Sequence, residues 1–529
     1  MRLTRRSAIA GAAALPLAVP SLNAAEPIRV LKFIPHADLT VVDPSWATAY
    51  ITRNHAMMVY DTLYGTDAGN AVSPQMLAGH DIQDDGKTWL MTLRPGLTFH
   101  DGTPVLARDC VASIRRWTIR DSYGQTIAKV TDELTAVDDK TIRFRLKHPF
   151  PLLAAALGKP GSSVCAIMPE RLAASDKSKP ITEVIGSGPF RFKTDERIPG
   201  ALVVYERNTA YVPRDSGESS FTAGPKRVFF DRVEWHIIPE AATAGAALQN
   251  GEVDWWEAPS VDLLPNLRAD TRLSVTVQDP TGYLGFMRMN CDIPPFNNPA
   301  IRRTVFGAIS QDDYMEAVAG EDRAMWHTPL GFFCPSSPMA NDAGMEALTG
   351  KRDPEAVKSA LKSAGYAGEK VVVLVPTDIP LLKGYGEVGV DALIRNGFNV
   401  EPRYLDWGTL VQSLSKYDAT GQNNWNIYHS AWSGLDQWDP AVNTSLRGNG
   451  KQAGRPGMLE SPKLEALRDA WLSEPMLDGQ KRLARDIQIQ AFQDVPYVPL
   501  GQVFSPTAYR KEIVDLNIGY ATFWNVKRT

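Results

Sequence analysis

"DDGKTWLMTLRPGLTFHDGTPVLARDCVASIRRW", Asp84 to Trp117, joins a short alternating run to a helical one. The run WLMTLR, Trp89 to Arg94, reads as a half-buried strand, and Cys110 falls on the apolar side of the helix that closes the passage. The same mixture extends outward in both directions. In TIRFRLKH, Ile142, Phe144 and Leu146 point one way and Arg143, Arg145 and Lys147 the other, with Asp138-Asp139 supplying the turn before them. FRFK, Phe190 to Lys193, and RVEWHII, Arg232 to Ile238, alternate similarly. Helices are announced by Asn298-Pro299, Asp353-Pro354 and Ser461-Pro462, each a side-chain N-cap followed by a proline where a missing N–H costs nothing. Behind them run Ile301/Val305/Ile309, Val357/Leu361/Ala364 and Leu464/Leu467/Trp471, stripes expected to face a core, and the second of these helices is predicted to close at Gly365. KVVVLVP, Lys370 to Pro376, is continuous in valine and leucine and predicts a strand buried on both faces of an α/β sheet.

With 529 residues the chain exceeds what one core organises, so at least two domains are expected. A composition 44% hydrophobic and 22% charged excludes a disordered or fibrous protein. Residues 1–25 read as an export signal: Arg2, Arg5 and Arg6, an apolar stretch from Ala8 to Val19, then Ala24-Ala25. Arg5-Arg6 points to the twin-arginine route, and Pro16 and the short apolar stretch argue against a membrane span. No cysteine near the cleavage region offers a lipid anchor, so a free periplasmic protein is expected. Losing three arginines takes the formal charge from −4 to −7, which disfavours nucleic acid and anionic membranes as partners. The four cysteines, Cys110, Cys165, Cys291 and Cys334, match no zinc spacing; Cys291–Cys334 is the disulfide expected, with Cys110 equally readable as a buried thiol.

Enzyme motifs fail on their physical requirements. GYGEVG, Gly384 to Gly389, fits a dinucleotide fingerprint, but eight residues separate it from the strand that should precede it, and it reads as a glycine-rich entry to a helix. GMEALTGKR, Gly344 to Arg352, has one residue too many between its glycines and Arg352 where a phosphate loop needs a hydroxyl. There is no G-x-S-x-G or H-E-x-x-H, and the eight histidines, His100, His236 and His429 among them, have no metal-ligand spacing. No catalytic residue, cofactor or metal is expected.

Several long segments resemble one family, the periplasmic solute-binding proteins of peptide and nickel type (extracellular solute-binding family 5), receptors of ABC importers. The resemblance is carried by VDPSWATAYITRNHAMMVYDTLYGTD (Val42 to Asp67), the opening passage Asp84 to Trp117, GSGPFRFK (Gly186 to Lys193), ALQNGEVD (Ala247 to Asp254) and PPFNNPAIRRTVFGAIS (Pro294 to Ser310). It implies an α/β, two-lobed periplasmic binding fold of type II, with an extra domain inserted in the first lobe and hinge closure on ligand. The implied division is lobe I at 26–62, 186–279 and 503–529, the inserted domain at 63–185, and lobe II at 280–502, with crossings near Asp279–Tyr283 and Pro496–Pro506. Implied partners are a peptide or small solute and the permease and ATPase of the importer, for a monomer with no nucleic acid.

The resemblance also assigns a site. In WSGLDQWDP, Trp432 to Pro440, it places a ligand's α-ammonium on Asp436, with Trp432 and Gly434 beside it, and from the first lobe it brings Thr48, Ala49 and Tyr50 to the ligand backbone. Trp432, and Trp407 in LDWGTL, offer flat apolar faces. Two departures stand out: one extra residue between Trp432 and Asp436, and no arginine for a ligand carboxylate, since the matching stretch VPTDIPLL holds Ile379 with Asp378 beside it. Asp436 and Asp378 without that arginine predict a ligand of net positive charge or without a carboxylate. Opines, oligosaccharides and nickel chelates are the alternative solutes, and an exported hydrolase on the same scaffold is the rival class.

Overall fold

The computed structural model describes residues 28–415, 424–453 and 457–529; the expected export signal at 1–25 lies outside them. Two large sheets organise the chain. A seven-stranded sheet runs in the order Leu273–Val277, Pro506–Arg510, Trp255–Trp256, Val30–Ile34, Arg232–His236, Leu202–Arg207 and Phe190–Phe192. Arg232–His236 lies parallel to Val30–Ile34 and alternates as its sequence predicts, Val233 and Trp235 fully buried between more exposed neighbours. Phe33, Trp255 and Phe523 meet edge to face beneath it, Phe33 at 4.9 Å from each of the other two rings.

The second sheet has six strands, ordered Trp326–His327, Val498–Val503, Tyr283–Met289, Ile427–Ser433, Lys370–Pro376 and Asn399–Leu405. Lys370–Pro376 pairs in parallel with strands on both sides and is buried from Val371 onward, as its unbroken apolar run requires. The proline-led helices form at Pro299–Ala308, Pro354–Ser363 and Pro462–Ser473, and Asn298, Asp353 and Ser461 each accept first-turn backbone N–H groups. The second helix is followed by Gly365 at φ 89°, a left-handed conformation that ends it. Early in the chain lies a separate four-stranded antiparallel sheet, ordered Leu77–Gln83, Thr88–Leu93, Thr141–Leu146 and Thr131–Ala136. The passage Asp84 to Trp117 supplies its second strand and the helix Ala107–Trp117, on which Cys110 is fully buried.

The hinge is a pair of neighbouring strands that change sheets together. Val277 pairs with Pro506 in the seven-stranded sheet, and Tyr283 pairs with Val503 in the six-stranded one. Only residues 278–282 and 504–505 span the gap, so the two lobes are tied by two adjacent, short crossings.

Two sequence expectations are corrected. All four cysteines are free thiols. Cys334 Sγ touches the carbonyl of Thr281 just before the strand Tyr283–Met289, and Cys291 follows that strand's far end. A strand of that length holds the two thiols on the order of 20 Å apart, far beyond disulfide reach. The second correction concerns GYGEVG, which lies inside the helix Pro380–Arg395 rather than at its entry. A Cβ on Gly386 would stand 2.8 Å from Val375, and one on Gly389 would stand 2.4 Å from Nε2 of His429. These glycines let a helix lie close on the sheet, and their spacing is that of packing, not of phosphate binding.

Candidate functional site

Ser433 ends the strand Ile427–Ser433, and the chain then tightens into the turn Gly434–Gln437. That turn carries Asp436 out of the six-stranded lobe to the place where all three sheets' neighbourhoods meet. Asp436 is 7% exposed. Its Oδ2 accepts the hydroxyl of Tyr50 at 2.8 Å, from the first turn of the helix Tyr50–Val59 in the other lobe. Its Oδ1 accepts both the backbone N–H and the hydroxyl of Ser162, at 3.0 and 3.1 Å. Tyr50 completes the bridge by accepting the N–H of Ser433 at 2.7 Å. Burial first, and then the neighbouring Asp436, push the Tyr50 phenol well above its usual range, so it stays a hydrogen-bond donor.

Asp436 is therefore a buried carboxylate answered only by neutral donors: among the described residues no Lys, Arg or His lies within ion-pair distance of it. The loop that reaches it is held by Lys159, whose ammonium pairs with Asp121 at 2.6 Å and donates to the carbonyl of Ser162 at 2.6 Å. Gly161 allows the approach, since a Cβ there would stand 2.4 Å from Asp436 Oδ1. Sequence reading missed Lys159, Ser162 and Asp121. The glycine and serines of KPGSS were their only signal, and nothing in that pattern names the partner 274 residues away.

A cavity of about 90 Å³ opens beside Asp436, lined by Trp432, Thr48, Lys159 and Arg120 among others. Trp432 lies half-buried along it and stacks on Phe286, ring planes 7° apart with centroids at 6.5 Å. A second cavity of about 50 Å³ lies at the two crossings, lined by Arg53, Glu257, Asp279, Tyr283 and Ser433. Tyr50 stands between the two, bonded to Asp436 on one side and with the Arg53 guanidinium 4.7 Å from its ring centroid on the other.

The structure thus brings Asp436, Trp432, Thr48 and Tyr50 together. Ala49 is exposed and caps the Tyr50–Val59 helix, its carbonyl accepting the N–H of Arg53. Gly434 packs against the first crossing: its N–H donates to Gly282, and a Cβ would stand 2.4 Å from the carbonyl of Thr281. Trp407 and Asp378 line neither cavity. Asp378 accepts the backbone N–H of Trp407 at 2.8 Å, at the start of the helix Trp407–Leu414. Asp439 forms a turn, accepting from Ala441 and Val442, and burial raises its carboxyl above the usual range. Among the described residues no cluster of three or more His, Cys, Asp or Glu could hold a metal, and no helix is long and apolar enough to cross a membrane.

Residues 71–454 match the family model described as bacterial extracellular solute-binding proteins, family 5 middle. The chain is 36% identical over 524 residues, 98% of its own length and 97% of the other's, to a "probable peptide ABC transporter periplasmic-binding protein" of Sinorhizobium fredii. It superposes with a TM-score of 0.77 on a periplasmic binding protein from Helicobacter pylori in complex with the peptide STSA, at 20% identity, covering 94% of this chain and 98% of that one. A binding protein from A. tumefacien R10 in complex with agropinic acid gives 0.78 at 17% identity, covering 94% and 99%.

Proposed function

We propose that this chain, which belongs to the bacterial extracellular solute-binding proteins of family 5, is the exported receptor subunit of an ABC importer that takes a peptide or peptide-like amine between its lobes, with no chemistry of its own. The observation that carries this reading is the buried carboxylate of Asp436, reaching from one lobe to the other and lacking a cation. A carboxylate removed from water is costly unless a charged partner arrives, and a ligand ammonium is such a partner. Because its present donors, Tyr50 and Ser162, come from across the cleft, a ligand bound there favours the closed over the open arrangement, which is how a receptor signals occupancy. Trp432 and Thr48 supply an apolar face and a rim for the chain that follows the ammonium. The partners are then a short peptide and the importer's permease and ATPase.

Native mass spectrometry of the mature protein, purified gently from a periplasm, tests the reading. A ladder of added masses matching peptides is the expected result. A single non-peptide adduct would replace it with a dedicated small-solute receptor, and turnover of peptides by the purified protein would replace it with a hydrolase.

A further inference from the structure

Arg53 is buried, 4% exposed, in a helix whose polar residues Thr52, Asn54 and His55 are buried with it. Its Nε and Nη2 donate to Asn54 Oδ1 at 3.2 and 3.1 Å, and Nη1 has no hydrogen-bond partner. The guanidinium lies over the ring of Tyr520, 3.6 Å from its centroid, and over that of Tyr50, at 4.7 Å. Two acids line the same cavity, each hydrogen-bonded to other donors and each acted on by the Arg53 charge from beyond ion-pair distance. Glu257 accepts from His36, backbone N–H and ring, and from Asn54; Asp279 accepts from the backbone and hydroxyl of Thr281. No carboxylate in the described residues lies within ion-pair distance of Arg53. A buried cation with no carboxylate in direct contact is expensive to keep, and an N–H without an acceptor, on a residue that lines a cavity, is a place where a ligand's acceptor would be favoured.

From this we infer that Arg53 is the anion subsite of the cleft and takes the carboxylate of the solute whose ammonium Asp436 receives. The inference rests on the receptor reading above and narrows its ligand to a zwitterion. A planar guanidinium with a free N–H suits a carboxylate, and the two stacked rings hold the plane in place. The cavity is small, about 50 Å³, which fits one functional group of a ligand rather than the whole. It also sits where both crossings pass, so an anion lodged there touches both lobes and the hinge between them. The proposal runs against the sequence expectation of a ligand of net positive charge or without a carboxylate: the stretch VPTDIPLL lacks an arginine, and Arg53 of the opposite lobe would take its place.

The test uses sodium propionate as a bare carboxylate probe and two tripeptide pools, one with free C-termini and one amidated. Propionate should raise the melting temperature of the wild-type protein saturably over matched sodium chloride, and R53Q should abolish that rise. Wild-type protein should retain the free-acid pool at least about tenfold better than the amidated pool in native mass spectrometry, and R53Q should retain the two alike. A propionate response that is missing, or equal in R53Q, overturns the subsite whatever the peptides do. An Arg53-dependent propionate response with neither pool retained keeps the subsite and overturns the peptide reading, while equal retention of both pools by wild type overturns the assignment to a peptide carboxylate. If R53Q does not fold, R53K keeps the charge and loses the fork; a weaker propionate response is expected from it, and an unchanged one overturns the proposal.

Discussion

Lys226 and Arg53 are both buried cations at the two ends of the helix Tyr50–Val59, and their surroundings answer them in opposite ways. Lys226 pairs with Asp61 at 2.7 Å, and that carboxylate also accepts from Tyr211 and Thr62, so every charge is met inside the protein. Arg53 has an amide oxygen, two aromatic faces, two carboxylates beyond ion-pair distance and one N–H without an acceptor. A buried ion pair completed by its own fold fixes structure. A buried ion left incomplete beside a cavity has a reason to be there only when something else arrives.

Breaking the first arrangement should have the largest effect. In Lys226→Met, Asp61 stays buried without its cation, and the expected loss is about 3–5 kcal/mol of unfolding free energy. Arg53→Met removes a charge with no carboxylate within ion-pair distance, giving up cation–π contact and the longer-range attraction to Glu257 and Asp279 while relieving desolvation, and should stay within about 1 kcal/mol of wild type. Urea denaturation of both variants checks this pair. Equal losses would mean that Arg53 is as structural as Lys226 and would end the distinction between them.

A third buried base sharpens the contrast by shedding its proton. His429 is fully buried against Tyr314, and burial lowers its pKa to about 3. The unfolded chain binds a proton near pH 6.5 and the folded one only near 3. Between those limits the unfolded state holds the extra proton, so stability falls as pH falls, by up to about 1.4 kcal/mol per pH unit for this residue. His429→Gln should flatten the slope of stability against pH between 6 and 4.5 by that amount; an unchanged slope would mean that the imidazole is charged in the fold.

On the acidic side of Tyr50 the effect expected is on binding. Asp436→Asn keeps an oxygen for Tyr50 or Ser162 and loses the charge, so tripeptides with a free amine should bind at least about tenfold more weakly, and N-acetylated ones nearly as before. Calorimetric titration of the two peptide sets checks it. Parallel losses would remove the ammonium from Asp436.

How much of this the sequence discloses depends on the distance over which a residue acts. Alternation in RVEWHII and the proline-led caps are local physics, and the strand Arg232–His236 and three helices follow from them directly. The glycines of GYGEVG are local in pattern but not in cause: what they accommodate is Val375 and His429 from the sheet below. Asp436 could be singled out because a resemblance marks its neighbourhood, yet its donors lie 386 and 274 residues away. Arg53 was invisible for the same reason. It sits three residues beyond Tyr50, in a helix where an arginine reads as a surface residue, and only the closure of Tyr520 and the two crossings over it makes it a buried charge with no carboxylate in contact.

Asp378 gives the smallest effect and the cleanest control on these charges, because the sequence set it beside Asp436 as a second acid for a cationic solute. The structure places its Oδ1 on the N–H of Trp407, at the positive end of the helix Trp407–Leu414, exposed and away from both cavities. An acceptor there satisfies one of the N–H groups that a helix start leaves open and meets the favourable end of its dipole. Asp378→Ala should therefore cost about 0.5–1 kcal/mol of stability and leave the ratio of affinities for cationic and neutral peptides unchanged. If the ratio falls instead, Asp378 feels the ligand's charge and joins Asp436 as a second acid acting on its cation. The zwitterion that Arg53 and Asp436 together describe would then have to give way to a cation.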